Sequence, residues 1–134
     1  MKEIKFRGKD IDTGKWVFGY YEYCHVSERH MIKYTDMKPE EVIKTIIPET
    51  LGQYIGIRAK CKGGRWEDDI YEGDILWHED FGYMIVKWSP SRLAYIMKAI
   101  KDNSYEYADA FRKNDDSLYC ELVGNIHDDP TSYQ

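Results

Sequence analysis

The sequence predicts a mainly β fold with one or two short helices, and three observations predict it. Aromatic residues make up 15% of the chain, twelve of them tyrosines, and aromatic side chains suit the half-buried surface of a sheet. Several segments alternate apolar and polar residues, which is the period of two that a strand with one buried face shows. Clusters rich in glycine, proline and aspartate separate these segments and indicate turns.

A β-hairpin is expected at the start of the chain. Ile4 and Phe6 alternate with charged residues, and Trp16, Phe18 and Tyr20 share one face of the segment that follows. An Asp- and Gly-containing stretch lies between the two segments and has the residues of a turn. The two strands should therefore pair.

Further strands are expected along the chain, together with one short helix. Segments 74–77 and 83–88 are joined by a short turn and should form a second hairpin. Met84, Val86 and Trp88 alternate onto one face, so they are expected to be buried. The other predicted elements are a short strand over 31–34, a helix over 105–113 and a final strand over 119–124.

The residues leave two segments open between helix and strand. In segment 42–47 the β-branched side chains favour a strand, although Pro39 and two glutamates would also open a helix. Segment 93–100 places Leu93, Ile96 and Ile100 at helical spacing, but it also fits a third strand after the second hairpin.

Charge and cysteine usage limit the class of protein. A net charge of −5, from 24 acidic and 19 basic residues, opposes general attraction to nucleic acid. The chain has no apolar run of about 18 residues, as a membrane span requires, and it does not begin like a signal peptide. Three scattered cysteines do not suggest a disulfide framework. We expect a soluble protein of a reducing cytoplasm.

The best candidate for a charged interaction surface is a basic run with one tryptophan, and acidic residues follow it directly. Its members are Arg58, Lys60, Lys62, Arg65 and Trp66.

A second candidate surface is the group of tyrosines Tyr20, Tyr21 and Tyr23 with Arg29 and Lys33. Such a mixture can stack nucleic-acid bases, and exposed tyrosines also serve protein interfaces. With an acidic chain, a protein partner is favoured over nucleic acid.

No residue pattern indicates catalysis. The glycine-rich segment 51–77 lacks the Gly-Lys-Ser/Thr of a P-loop and the strand–helix context of a dinucleotide site. Glu72 and Asp74 would share one face of a strand and could hold a metal, although acids at this position more often accept backbone hydrogen bonds in a turn. No catalytic, cofactor-binding or metal-binding residue is assigned, and no cofactor is expected.

Several short motifs in order along the chain resemble the YopX family of phage and prophage proteins. They are Ile47-Pro-Glu-Thr-Leu-Gly-Gln-Tyr-Ile-Gly56, Ile70-Tyr-Glu-Gly-Asp-Ile75, the opening Lys5-Phe-Arg-Gly-Lys-Asp10 with Trp16-Val-Phe-Gly19, and Glu121-Leu-Val-Gly-Asn-Ile126. The residues carrying the resemblance include Gly52, Gln53, Tyr54, Gly56, Tyr71, Glu72, Gly73, Asp74, Gly124 and Asn125.

The resemblance implies an N-terminal hairpin region over 1–56 and a C-terminal SH3-like small barrel over 70–134, and segment 57–69 between them, which is longer than in the family, is expected to be an exposed loop. The three parts are expected to form one structural unit. It also favours a strand for segments 42–47 and 93–100, and it transfers no catalytic residue.

The functional hypothesis from the sequence is a non-enzymatic accessory protein of phage or prophage type in the cytoplasm of a bacterial host. It would bind an unidentified protein partner and form a homo-oligomer. The alternatives are a single-stranded nucleic-acid-binding barrel and a small metal-dependent hydrolase that uses Glu72 and Asp74. No membrane partner is expected.

Overall fold

The computed structural model describes residues 4–35, 40–61, 66–79, 81–101, 106–107 and 120–128. Nearly all regular structure within these ranges is β-strand, with one 3-10 turn. The mainly β prediction is therefore confirmed. Contacts divide the chain into two units, Met1–Tyr54 and Ile55–Gln134.

The first unit is an antiparallel sheet with the strand order β5-β1-β2-β3-β4. Its strands are β1 (Phe6–Lys9), β2 (Trp16–Cys24), β3 (Arg29–Thr35), β4 (Glu41–Thr45) and the start of β5 (Gly52–Cys61). The predicted N-terminal hairpin is present as β1 and β2. Segment 42–47 contributes β4, so its β-branched side chains prevail over the helix-opening residues before it.

Two isoleucines form the buried centre of the first unit. Ile32 in β3 and Ile46 after β4 are 0% and 1% exposed. Gly8 of β1 faces Ile46 so closely that a Cβ atom at Gly8 would lie 2.5 Å from Ile46 Cδ1. A glycine is needed here because the neighbouring side chain already fills the space.

The chain after β4 runs back along β1. The N–H of Ile11 donates to the carbonyl of Thr45 at 2.9 Å, and the N–H of Ile47 donates to the carbonyl of Lys9 at 2.9 Å. The 3-10 turn Pro48–Thr50 then interrupts this pairing, and β5 resumes it.

The second unit is built around a four-stranded antiparallel meander. The meander consists of β7 (Asp74–His78), β8 (Gly82–Ser89), β9 (Ala94–Ala99) and β10 (Glu106–Tyr107). The other strands of the unit are the rest of β5, β6 (Glu67–Tyr71) and β11 (Glu121–Asn125). The strand order is β10-β9-β8-β7-β11-β5, and β6 pairs with β5. Strand β11 is antiparallel to β7 and parallel to β5.

Cross-strand rows of apolar side chains form the core of the second unit. Leu76, Met84 and Ala99 lie opposite one another across β7, β8 and β9, and Val86 lies opposite Met97. The core cluster consists of Ile70, Leu76, Met84, Val86, Met97 and Ala99, with Ile55, Ile57, Ala59, Cys120 and Leu122 packed against it. Burying each large aliphatic side chain contributes about 1.5–3 kcal/mol.

Segment 93–100 forms β9, so the strand that the family resemblance favoured is confirmed. Leu93 itself precedes the strand, with φ +51° and 77% of its surface exposed. The helical spacing of the apolar residues is therefore coincidental, because Ile96 and Met97, both buried, point to opposite faces of a strand.

The helix expected over 105–113 is not confirmed. Glu106–Tyr107 form β10, which pairs with β9, and the remaining residues of that segment lie outside the described ranges. Pairing with an available strand edge supplies backbone hydrogen bonds that override a weak local helix preference.

The exposed loop expected over 57–69 is largely wrong. Strand β5 continues to Cys61 and β6 starts at Glu67. Ile57 and Ala59 pack on the core of the second unit, and this burial extends β5 to Cys61, whereas residues 62–65 lie outside the described ranges.

Two finer expectations about the C-terminal region also change. Among the described residues, the strand pairings form an open sheet, so a closed SH3-like barrel is not confirmed. Trp88 is 44% exposed rather than buried, because it lies at the end of β8 and packs edge-on against Tyr95 at 5.0 Å instead of entering the core.

Candidate interaction surfaces

The motif residues Tyr71 to Asp74 form the tight connection between β6 and β7. Asp74 is 2% exposed, and its Oδ2 accepts a hydrogen bond from the N–H of Tyr71 at 2.8 Å. Gly73 has φ +93° and donates its N–H to the carbonyl of Val86 at 2.9 Å. Glycine adopts this left-handed conformation without the strain other residues incur. Asp74 thus stabilises a turn.

The C-terminal motif lies beside this turn. Asn125 pairs with Asp74 across β11 and β7, and Ile126 donates its N–H to the carbonyl of Gly73 at 2.9 Å. The Asn125 side chain accepts hydrogen bonds from the N–H groups of His127 and Asp128 at 3.0 and 2.9 Å. Strand pairing and one further backbone hydrogen bond therefore join two motifs that lie about 50 residues apart in sequence.

Glu72 and Asp74 do not belong to a larger set of metal ligands within the described residues. In that part of the chain, no group of three or more His, Cys, Asp or Glu side chains is placed to hold a metal ion. The buried Asp74 carboxylate serves the turn, and Glu72 lies within it.

The motif at the start of β5 also has a backbone role. Gly52 and Gln53 pair with β1, and Tyr54 donates its N–H to the carbonyl of Lys5 at 2.9 Å. The Lys5 ammonium lies 4.8 Å from the centre of the Tyr54 ring, a cation–π contact. Gly56 has φ +93°, which explains a glycine at that position.

Two basic residues of the predicted charged surface, Arg58 and Lys60, lie on β5 among acidic neighbours. Arg58 forms an ion pair with Asp69 at 3.5 Å and donates to the carbonyl of Glu67 at 2.9 Å. Lys60 lies opposite Glu121 on β11. Trp66 is 61% exposed, whereas Lys62 and Arg65 lie outside the described ranges. The described part of this surface is therefore nearly balanced in charge.

The clearest exposed apolar surface is one face of the first unit. Tyr20, Lys33 and Ile43 lie side by side on β2, β3 and β4, and Phe18 precedes Tyr20 on the same face. Tyr20, Ile43 and Phe18 are 71%, 49% and 48% exposed. We call Phe18, Tyr20 and Ile43 the aromatic face of the first unit. Sequence reasoning selected Tyr20 and placed Phe18 on its face of the strand, but it did not include Ile43.

Lys33 is held in place at the centre of the aromatic face. Its ammonium forms an ion pair with Glu22 and lies 4.0 Å from Glu41. The hydrogen bond that the Lys33 ammonium donates to Glu22 raises the pKa of Lys33 above its ordinary value. Lys33 therefore lies between two apolar neighbours, Tyr20 and Ile43, with its charge directed to Glu22.

The predicted tyrosine group is divided between the two faces of the sheet. Tyr21 and Tyr23 lie opposite to Tyr20 because neighbours in a strand alternate. The Tyr21 hydroxyl contacts His30 Nδ1 at 2.5 Å, and the Tyr23 ring centre lies 4.8 Å from that of His30. These two tyrosines pack locally, so the expected single stacking surface does not form.

A smaller aromatic group lies at the end of the β7–β8 hairpin in the second unit. Trp77 and Tyr83 are opposite one another with ring centres 4.8 Å apart, and Phe81 stacks on His78 at 4.8 Å. Trp77, Tyr83 and Phe81 are 38%, 36% and 38% exposed. Because much of each ring is covered, this group offers less free surface than the aromatic face.

A family model described as YopX protein matches residues 5–132. The chain belongs to the YopX family. No curated protein matches it. The YopX match spans both units, and the signature residues of the family resemblance occupy turns and strand pairings rather than a cluster of reactive groups.

Among the described residues, no helix combines the length and the apolar character that crossing a bilayer requires.

Proposed function

We propose that this YopX-family protein is a non-enzymatic accessory protein of phage or prophage type in the bacterial cytoplasm. It acts by binding protein chains and forms a homo-oligomer. The observation that carries the proposal is the aromatic face of the first unit, formed by Phe18, Tyr20 and Ile43 with the fixed Lys33 between them.

The composition of the aromatic face suits a protein partner. Tyrosine and phenylalanine are enriched in protein interfaces, where their large side chains lose little conformational freedom. Lys33 is already ion-paired with Glu22, so the centre of the face carries little net positive charge for a phosphate backbone. An exposed apolar and aromatic surface of this kind is better covered by another protein chain than by nucleic acid.

The first test is sedimentation of the full chain at several concentrations. A pull-down from host cells tests the aromatic face separately: the double variant Phe18→Ser/Tyr20→Ser should recover less of the protein partner than the wild type does, because it removes the two aromatic anchors. Leu93→Asn is a matched control, since it replaces another exposed apolar residue, in the second unit, and asparagine tolerates positive φ. A wild-type protein that remains a strict monomer at high concentration would refute the oligomer.

A second candidate function is binding of single-stranded nucleic acid, which the exposed Trp66 near Arg58 favours. Stacking on an exposed aromatic ring tolerates any base. Fluorescence anisotropy with short DNA and RNA oligomers at low salt should then show binding that weakens steeply with salt. Absence of any signal with tens of micromolar protein would remove this candidate.

We also infer that the β7–β10 meander with β11 beside β7 corresponds to the SH3-like element that the family resemblance implies. The antiparallel order of these strands and their shared apolar core support the correspondence. A solved structure of a YopX-family relative in which these strands close on themselves would test it.

A further inference from the structure

Strand β4 lies at the edge of the sheet of the first unit, beside β3. Ile46 donates its N–H to the carbonyl of His30 on β3 at 2.9 Å. Backbone groups alternate in direction along a strand, so Val42 and Lys44 also bond toward β3, and Glu41 and Ile43 bond away from it.

A second contact supports this assignment. The carbonyl of Thr45 points away from β3, because it accepts a hydrogen bond from the N–H of Ile11 at 2.9 Å. Thr45, Ile43 and Glu41 therefore share the outer edge. Within the described residues, no backbone partner is recorded on that edge for Glu41 or Ile43. Such a strand edge can pair with another chain.

The sequence of β4 is self-complementary about Val42. If a second copy pairs antiparallel with its two-fold axis at Val42, Glu41 of each chain lies opposite Ile43 of the other. These are the outward-pointing residues, so each Glu41–Ile43 pair can exchange two backbone hydrogen bonds. Val42 then lies directly against its own copy on one face of the joined sheet.

Charge complementarity favours the same register. The axis at Val42 places Glu40 of one chain opposite Lys44 of the other, twice over. Glu40 is exposed, and the Lys44 side chain is 40% exposed while lying 3.8 Å from Asp10. Opposite charges placed across two strands stabilise their pairing.

The neighbouring register is less favourable. An axis at Ile43 would place Lys44 opposite Val42 and leave Glu40 without its basic partner.

We propose that a second copy of this chain pairs with the outer edge of β4 in the register centred on Val42. The inference rests on the proposed oligomer-forming function and names its interface. A two-fold axis perpendicular to the sheet keeps equivalent faces on one side, so pairing joins the aromatic faces of two copies into one wider surface for a further protein.

Cysteine cross-linking tests the register directly. Directly opposed residues that do not exchange hydrogen bonds have Cα atoms about 4.5 Å apart, which is within the range a disulfide needs. Val42→Cys should therefore form a disulfide-linked dimer with diamide as oxidant. Ile43→Cys is the matched control, since the two copies of Ile43 would lie diagonally about 7–8 Å apart. The wild-type chain measures background cross-linking by the native cysteines.

A charge variant tests the same interface without a covalent bond. Glu40→Lys should raise the dimer dissociation constant roughly tenfold, because two attractive cross-strand pairs become repulsive. Glu49→Lys makes the same change in net charge on the exposed 3-10 turn and should leave the dissociation constant unchanged.

The outcomes separate this inference from the function on which it rests. Cross-linking through Val42→Cys but not Ile43→Cys supports the register, and the reverse result overturns it. A dimer in sedimentation that cross-links at neither position overturns the β4 interface while the oligomer-forming function stands. A strict monomer in sedimentation overturns both.

Discussion

The hydroxyl of Thr50, in the 3-10 turn beside β1, takes the place of a backbone carbonyl as hydrogen-bond acceptor. The N–H of Lys9 donates to Thr50 Oγ1 at 2.9 Å, and the Thr50 hydroxyl donates to the carbonyl of Ile47 at 2.6 Å. Thr50 is 7% exposed. Replacing Thr50 with valine keeps the shape of the side chain and removes both hydrogen bonds.

The expected cost of Thr50→Val is about 2 kcal/mol of unfolding free energy. A buried N–H left without an acceptor costs about 1–3 kcal/mol, and the N–H of Lys9 would lose its acceptor in this way. Thr50→Ser keeps the hydroxyl and removes one methyl group, which costs about 0.8 kcal/mol when that group is buried. The wild type should therefore be most stable, followed by serine and then valine.

Urea unfolding of the three proteins, followed by tryptophan fluorescence, measures this order. The urea concentration at the midpoint of unfolding should fall, while the slope of the unfolding free energy against urea concentration should change little, since the surface exposed on unfolding hardly changes. If valine is as stable as the wild type and serine is the least stable, packing rather than hydrogen bonding fixes the turn. That order would refute the role assigned to the hydroxyl.

Three further predictions follow from single sites. Gly19→Ala should strongly lower the melting temperature in a thermal scan, because the added Cβ would overlap the backbone carbonyl of Lys33, which cannot move aside; an unchanged melting temperature would contradict this. Alkylation near neutral pH, followed by peptide mass spectrometry, should modify Cys24 first and Cys120 last. The hydroxyl of a neighbouring serine lowers the pKa of Cys24, whereas burial raises the pKa of Cys120 to about 11. Equal rates of alkylation would contradict this prediction. The pKa of Asp10 lies below its ordinary value of 3.8, chiefly because a backbone N–H donates to its carboxylate. The ionised carboxylate therefore stabilises the fold fully above pH 3.8, and this stabilisation is lost as the pH falls through the lower pKa of the folded state. In urea unfolding, the difference in unfolding free energy between wild type and Asp10→Asn should therefore shrink on acidification. A difference that does not change with pH would contradict this prediction.

Much of the fold could be predicted because local patterns agree with the tertiary structure. The β7–β8 hairpin follows from two alternating segments joined by a short turn, and the register brings Leu76 opposite Met84. Glycine at position 73 and aspartate at position 74 mark the turn before it, as their backbone chemistry requires.

Part of the fold could not be predicted because it depends on distant partners. Ile57 and Ala59 do alternate with charged residues, yet the glycines around them favoured a loop, and only the core of the second unit makes them a strand. The parallel pairing of Glu121 with Lys60 joins residues far apart in sequence. Local propensity carries no information about such a contact.

The candidate surface was harder to predict than the fold, because exposure depends on what packs against each face. Tyr20, Tyr21 and Tyr23 look alike in the sequence, and alternation alone separates them into two faces without saying which is free. On one face, Tyr21 and Tyr23 both contact His30. Tyr20 is left exposed beside Ile43, which belongs to a different strand.

The residues that carry the YopX resemblance and the residues proposed to bind partners share only Phe18, which lies in the Trp16-Val-Phe-Gly19 motif. Gly73, Asp74 and Asn125 are committed to backbone hydrogen bonds in the second unit, where a substitution would first affect folding. The aromatic face and the edge of β4 make few such bonds, so they are free to change with the partner. Most of the family signature therefore reports how the chain folds, and the specificity of each member must be sought mainly outside that signature.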